Sequence, residues 1–121
     1  MKPVILFLLA ASTALAQQSA PRIPKVQSPE VQADGRVTFR YYDPNAHQVK
    51  VHLEGAQDAF SMQKDAAGIW SYTAAALAPD FYGYSFESDG AHRLDPVNTE
   101  VKPNLLSLSN VVRVAGAEPQ P

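Results

Sequence analysis

Tyr82-Gly83-Tyr84-Ser85-Phe86-Glu87-Ser88-Asp89-Gly90 decides the fold. Tyr82, Tyr84 and Phe86 alternate with Gly83, Ser85 and Glu87, the period-two pattern of a half-buried strand. Asp89-Gly90 then marks a tight hairpin, because glycine tolerates the positive φ such turns need. The same alternation recurs upstream. Val37, Phe39 and Tyr41 alternate with Arg36, Thr38 and Arg40, and Val49, Val51 and Leu53 with Lys50, His52 and Glu54. Trp70 and Tyr72 share one face of a further strand, Val112 and Val114 mark a last one, and a weaker strand is expected from Ser61 to Lys64. Turn residues separate the runs: Asp34-Gly35, Asp43-Pro44-Asn45, Ala67-Gly68 and Ala78-Pro79-Asp80. Ala74 to Leu77 offers at most one helical turn. Pro96 and Pro103 bracket a segment expected to cross one edge as a loop. Short strands at this spacing predict an all-β sandwich, with Phe39, Val51, Trp70, Tyr84, Phe86 and Val112 in its core.

The ends read differently. Met1-Lys2, the apolar run Val4–Leu9 and the small-x-small site Ala14-Leu15-Ala16 form a secretory signal over residues 1–16. That run is too short to span a bilayer. Residues 17–30 carry Pro21, Pro24 and Pro29 and are expected to be an extended leader, residues 31–115 the sandwich, and residues 116–121 a linker-like tail. The expected location is secreted or periplasmic. The 121 residues contain no cysteine, which excludes disulfides, zinc-thiolate sites and thiol catalysis. A formal net charge of −2 gives no electrostatic reason to bind nucleic acid or anionic membrane.

In chain order the pieces are Arg36 to Arg40, Asp43 to Ala46, Val49 to Val51, Gly68-Ile69-Trp70 and Leu77-Ala78-Pro79. Tyr82 to Phe86, Asp89-Gly90, Asp95-Pro96 and Ser109 to Val114 follow. Together they resemble an early-set immunoglobulin-like domain of about seven strands. The branch they are most similar to is the N-terminal domain of secreted esterases of the feruloyl or enterochelin type. The same superfamily includes the family 48 carbohydrate-binding modules of glycogen branching enzymes and of the β subunit of AMP-activated kinase. The resemblance implies a domain that precedes a catalytic domain, some relatives of which bind α-glucans. No catalytic domain follows within these 121 residues.

Catalytic machinery is not legible. Gly83-Tyr84-Ser85-Phe86-Glu87 is the nearest string to a serine elbow, but it lies inside an alternating strand, and Ser85 reads as a solvent-facing strand serine. His47, His52 and His92 lack metal-ligand spacing and read as surface residues. No metal and no cofactor is expected. Most aromatics fit inward strand positions, whereas Tyr42 and Phe81 break the alternation outward and are candidates to contact a ligand. The resemblance implies two tryptophans and a lysine on one glucan-binding surface. At those positions this sequence has Ala59 or Phe60, His92 and Ser85, with a polar position kept as Ser109-Asn110. Phe60, His92 and Asn110 therefore join the candidate ligand-binding set, and glycogen binding is expected to be weak or absent. The reading favoured by the resemblance is a non-catalytic accessory domain packing against or orienting a hydrolase domain absent from this chain. The alternative is a free-standing carbohydrate-binding module of the family 48 type with a degenerate glucan site. The partner is then a hydrolase domain or a polysaccharide.

Overall fold

A computed structural model of the chain describes residues 23–102 and 108–116. The expected signal over 1–16, the start of the leader, Pro103 and residues 117–121 of the tail lie outside the described residues. Ten strands are described: β1 (Glu30–Val31), β2 (Val37–Tyr42), β3 (Val49–Leu53), β4 (Phe60–Ser61), β5 (Gln63–Lys64), β6 (Ile69–Ala74), β7 (Asp80–Ser88), β8 (Ala91–Arg93), β9 (Val101–Lys102) and β10 (Ser109–Val114). They pair antiparallel into a four-stranded sheet, β1-β2-β6-β5, and a six-stranded sheet, β4-β3-β7-β10-β9, with β8 on β7. The fold is an immunoglobulin-like β-sandwich, all-β as the alternation predicts. The five longest strands, β2, β3, β6, β7 and β10, are those the alternation picks out. The count exceeds seven because β1, β4, β5 and β9 are two-residue pieces.

The core follows from the pleat. Alternate residues of a strand point to one face, so β2 buries Val37, Phe39 and Tyr41, β3 buries Val49, Val51 and Leu53, and β10 buries Val112 and Val114. β7 contributes Tyr84 and Phe86. The two sheets meet through tilted ring pairs, Phe39 with Tyr84 at 4.7 Å and Tyr41 with Phe86 at 5.0 Å. All six expected core residues are buried. Tyr72 and Tyr82, on inward positions near the strand ends, are only half-buried.

Several local expectations are corrected. The weak strand at Ser61 to Lys64 divides between the sheets. Phe60–Ser61 pairs with β3 and Gln63–Lys64 with β6, with buried Met62 at the crossing. A strand that changes sheets closes a corner of a sandwich. Ala74 ends β6 and no helical turn follows. Instead Leu77 N donates to Gly35 O at 3.0 Å, and Gly35 has φ +91°, where a side chain would meet the Leu77 carbonyl. The segment after Pro96 is not wholly a loop, because Val101–Lys102 pairs with β10 as β9. At the hairpin between β7 and β8, Asp89 and Gly90 have φ of 47° and 85°. Both central residues are left-handed, as a two-residue hairpin turn requires.

Candidate functional site

The register of the six-stranded sheet sets one outward face. On β7 that face carries Phe81, Gly83, Ser85 and Glu87. Across from Ser85 lies His52, across from Glu87 lie Lys50 and His92, and across from Phe81 lies Arg113. His52 Nε2 and Glu87 Oε1 are 2.8 Å apart. A shallow groove of about 280 Å³ opens on this face, walled by His52, Glu54, Gln57 and Asp58 on one side and by Ser85, Lys102 and Ser109 on the other. Glu54 accepts from Gly83 N at 2.7 Å and lies 3.4 Å from Lys102 Nζ. The Gly83 amide, with Lys102 beside it, holds the Glu54 carboxyl below the usual carboxylate range. The groove therefore presents a fixed carboxylate, an ammonium group, an imidazole, an amide and hydroxyls. Tyr84 also lines it, but its ring belongs to the core. That arrangement suits a neutral polyhydroxylated ligand held by hydrogen bonds.

The five candidate residues fall in different places. His92 and Phe81 share the outward face, six register positions apart along β7, with His92 near the hairpin and Phe81 at the far end. Tyr42 faces outward from the other sheet and lines a separate apolar groove with Ile23, Pro24 and Val97. Phe60 is a correction. Its partner in register is core-facing Val51, so its ring turns inward and stacks on Tyr72 at 4.7 Å and 10°. Tyr72 covers one face of the ring, and the residue is half-buried. Ser85 is a second correction. It points outward, yet it is only 8% exposed, because it lies mid-strand between β3 and β10.

Asn110 is the third correction. It is fully buried, and its side chain forms a brace. Oδ1 accepts from Asp95 N at 2.6 Å, and Nδ2 donates to Asn98 O and Glu100 O at 3.0 and 3.3 Å. Tyr84 Oη donates to Asp95 Oδ2 at 2.7 Å and accepts from Asn98 Nδ2 at 2.9 Å. These bonds pin residues 95–100 to β7 and β10, and so support β9, which carries Lys102. Burial pushes the Asp95 carboxyl above its ordinary range, against the hydrogen bond from Tyr84. A folded-state value above the unfolded one means that the folded chain binds the extra proton. That contribution to stability is complete at acid pH, below the ordinary carboxylate value, and is lost as pH rises through the raised value. The melting temperature of the wild type should therefore fall relative to that of Asp95→Asn over this interval. A difference that stays flat with pH would show that Asp95 does not titrate abnormally.

The groove itself was not found from sequence. Glu54, Gln57, Asp58 and Lys102 come together only through the pairing of β3 with β7 and β9 with β10, and alternation within one strand carries no pairing information. Among the described residues no group of three His, Asp or Glu is placed to hold a metal ion. Also among them, no helix is long and apolar enough to cross a membrane.

The sequence model of carbohydrate-binding module 48 (isoamylase N-terminal domain) matches residues 27–102. Among similar solved structures is a putative alpha amylase from Salmonella typhimurium, with a TM-score of 0.59 and 23% identity, covering 78% of this chain and 15% of that one. A type I pullulanase from Bacillus subtilis complexed with maltose gives 0.58 and 16%, covering 82% and 14%. Apo pullulanase from Paenibacillus barengoltzii gives 0.55 and 19%, covering 74% and 15%. At these identities the likeness is one of fold, and the chain spans only 14–15% of the length of those proteins. No curated protein matches the sequence.

Proposed function

The chain belongs to the carbohydrate-binding module 48 family, the isoamylase N-terminal domains, and from that membership we propose a non-catalytic sugar-binding module that works beside a glycoside hydrolase. The observation that carries this reading is the family match across residues 27–102. The open polar groove on the outer face of the six-stranded sheet supports it, because it supplies hydrogen-bonding groups to a polyhydroxylated ligand. The ligand class is an α-glucan, suggested by the amylase and pullulanase context of the similar folds. This favours the carbohydrate-binding alternative over the esterase accessory domain, whose parentage gains no support from the matches.

Affinity should be modest. The two positions where glucan-binding relatives carry indoles hold inward-facing Phe60 and His92 here, and each lost stacking platform removes about 1–3 kcal/mol by analogy with aromatic–base stacking. A Kd of about 1 mM is expected, equivalent to roughly −4 kcal/mol. Affinity electrophoresis tests the reading. Glycogen in the gel should retard the protein slightly, and xylan should not. Equal mobility with and without glycogen at several loadings would contradict it.

Export belongs to the same proposal, on the pattern of Lys2, Val4–Leu9 and Ala14-Leu15-Ala16. N-terminal sequencing of secreted or periplasmic protein should begin at Gln17. Intact Met1 on protein confined to the cytoplasm would contradict it.

A further inference from the structure

Phe81 is the one exposed aromatic residue among those described, at 60% exposure, whereas the other rings are buried or half-buried. Its position is specific. It lies on the same outward face of β7 as Gly83 and Ser85, and successive outward residues of a strand are about 7 Å apart. The ring stands beyond the end of the polar groove, in a shallow depression of its own with Pro79, Asp80, Arg113 and Gly116. Its register partner Arg113 brings a guanidinium to 5.9 Å from the ring centroid. Between Phe81 and Ser85 the strand carries only Gly83. A Cβ there would come within 3.0 Å of Ser109 Oγ and 3.3 Å of Glu54 Oε1, so these two side chains close over the buried Gly83 and separate the ring from the groove.

A sugar ring has an apolar face that needs a flat aromatic surface, and hydroxyls that need polar groups beside it. His92 supplies no six-membered aromatic ring at the hairpin end, and Phe60 is turned inward. We infer that the aromatic platform of this module is Phe81, at the end of the sheet opposite the hairpin. A neutral glucan chain stacks on its ring and receives hydrogen bonds from Arg113 beside it. This rests on the sugar-binding reading above and adds which surface element does the stacking.

Titration of 15N-labelled protein with maltoheptaose provides the test. Phe81→Ala should weaken Kd roughly tenfold or more, the effect of losing one stacking contact. Phe81→Tyr should keep it, and His92→Ala should change it by less than about threefold. Because Phe81 is exposed, unchanged amide dispersion and melting temperature should accompany the loss. Wild-type binding that Phe81→Ala leaves intact would overturn this inference alone, leaving the ring to protein contacts. No binding by the wild type would overturn the sugar-binding reading and this inference with it.

Discussion

Trp70→Ala should destabilise the fold by about 3–5 kcal/mol, in the range for deleting a large buried aromatic. Trp70 is 7% exposed and lies opposite Tyr41 in the β2–β6 register. Its indole Nε1 donates to Asp43 O at 2.9 Å, which ties the turn after β2 to the facing strand. Truncation removes the ring from the core and also takes away the shorter of that carbonyl's two hydrogen bonds, leaving the one from Ala46 N at 3.3 Å. Urea unfolding with an unchanged slope and a lower midpoint is the expected result. A loss below roughly 1 kcal/mol would show that the indole is peripheral and free to contact a ligand.

Asn110→Ala should cost about 1–3 kcal/mol for a different reason. The volume removed is small, but buried Asp95 N loses its acceptor and the half-buried Asn98 O loses its donor, while the Glu100 carbonyl keeps Val111 N at 3.1 Å. Each unsatisfied buried group costs about 1–3 kcal/mol, less where relaxation or water compensates. The loss should be accompanied by faster amide exchange at Asp95 and Val111, whose hydrogen bonds hold residues 95–100 in place. A change below about 1 kcal/mol with protection retained would mean that the brace is redundant.

The contrast between these two residues shows what the sequence could carry. Trp70 is legible as core because Trp70 and Tyr72 share one face of an alternating strand, and period two is a property of a single strand. Asn110 heads a strand whose pattern continues through Val112 and Val114, yet an amide at an inward position reads as polar surface. Its partners lie 10 to 15 residues away on another segment. Phe60 failed for a related reason. Its place was inferred from relatives that carry a ring in a loop, whereas here it pairs with Val51 and inherits the inward side. Asp89-Gly90 was readable because left-handed φ at consecutive residues narrows the residue choice. The groove was not, because its walls belong to strands whose pairing only the folded sheet defines. Phe81 was marked as outward by its break in alternation. Its place beside Arg113 required knowing the register of β7 with β10.

The most direct test of the proposed sugar binding is the map of amide shifts as maltoheptaose is added to millimolar concentration. Shifts should concentrate on the outer face of the six-stranded sheet, at Phe81, Gly83, Ser85, Lys102 and Arg113, and spare the separate groove at Tyr42 and Val97. No shifts at saturating oligosaccharide, or shifts confined to Tyr42 and Val97, would contradict it.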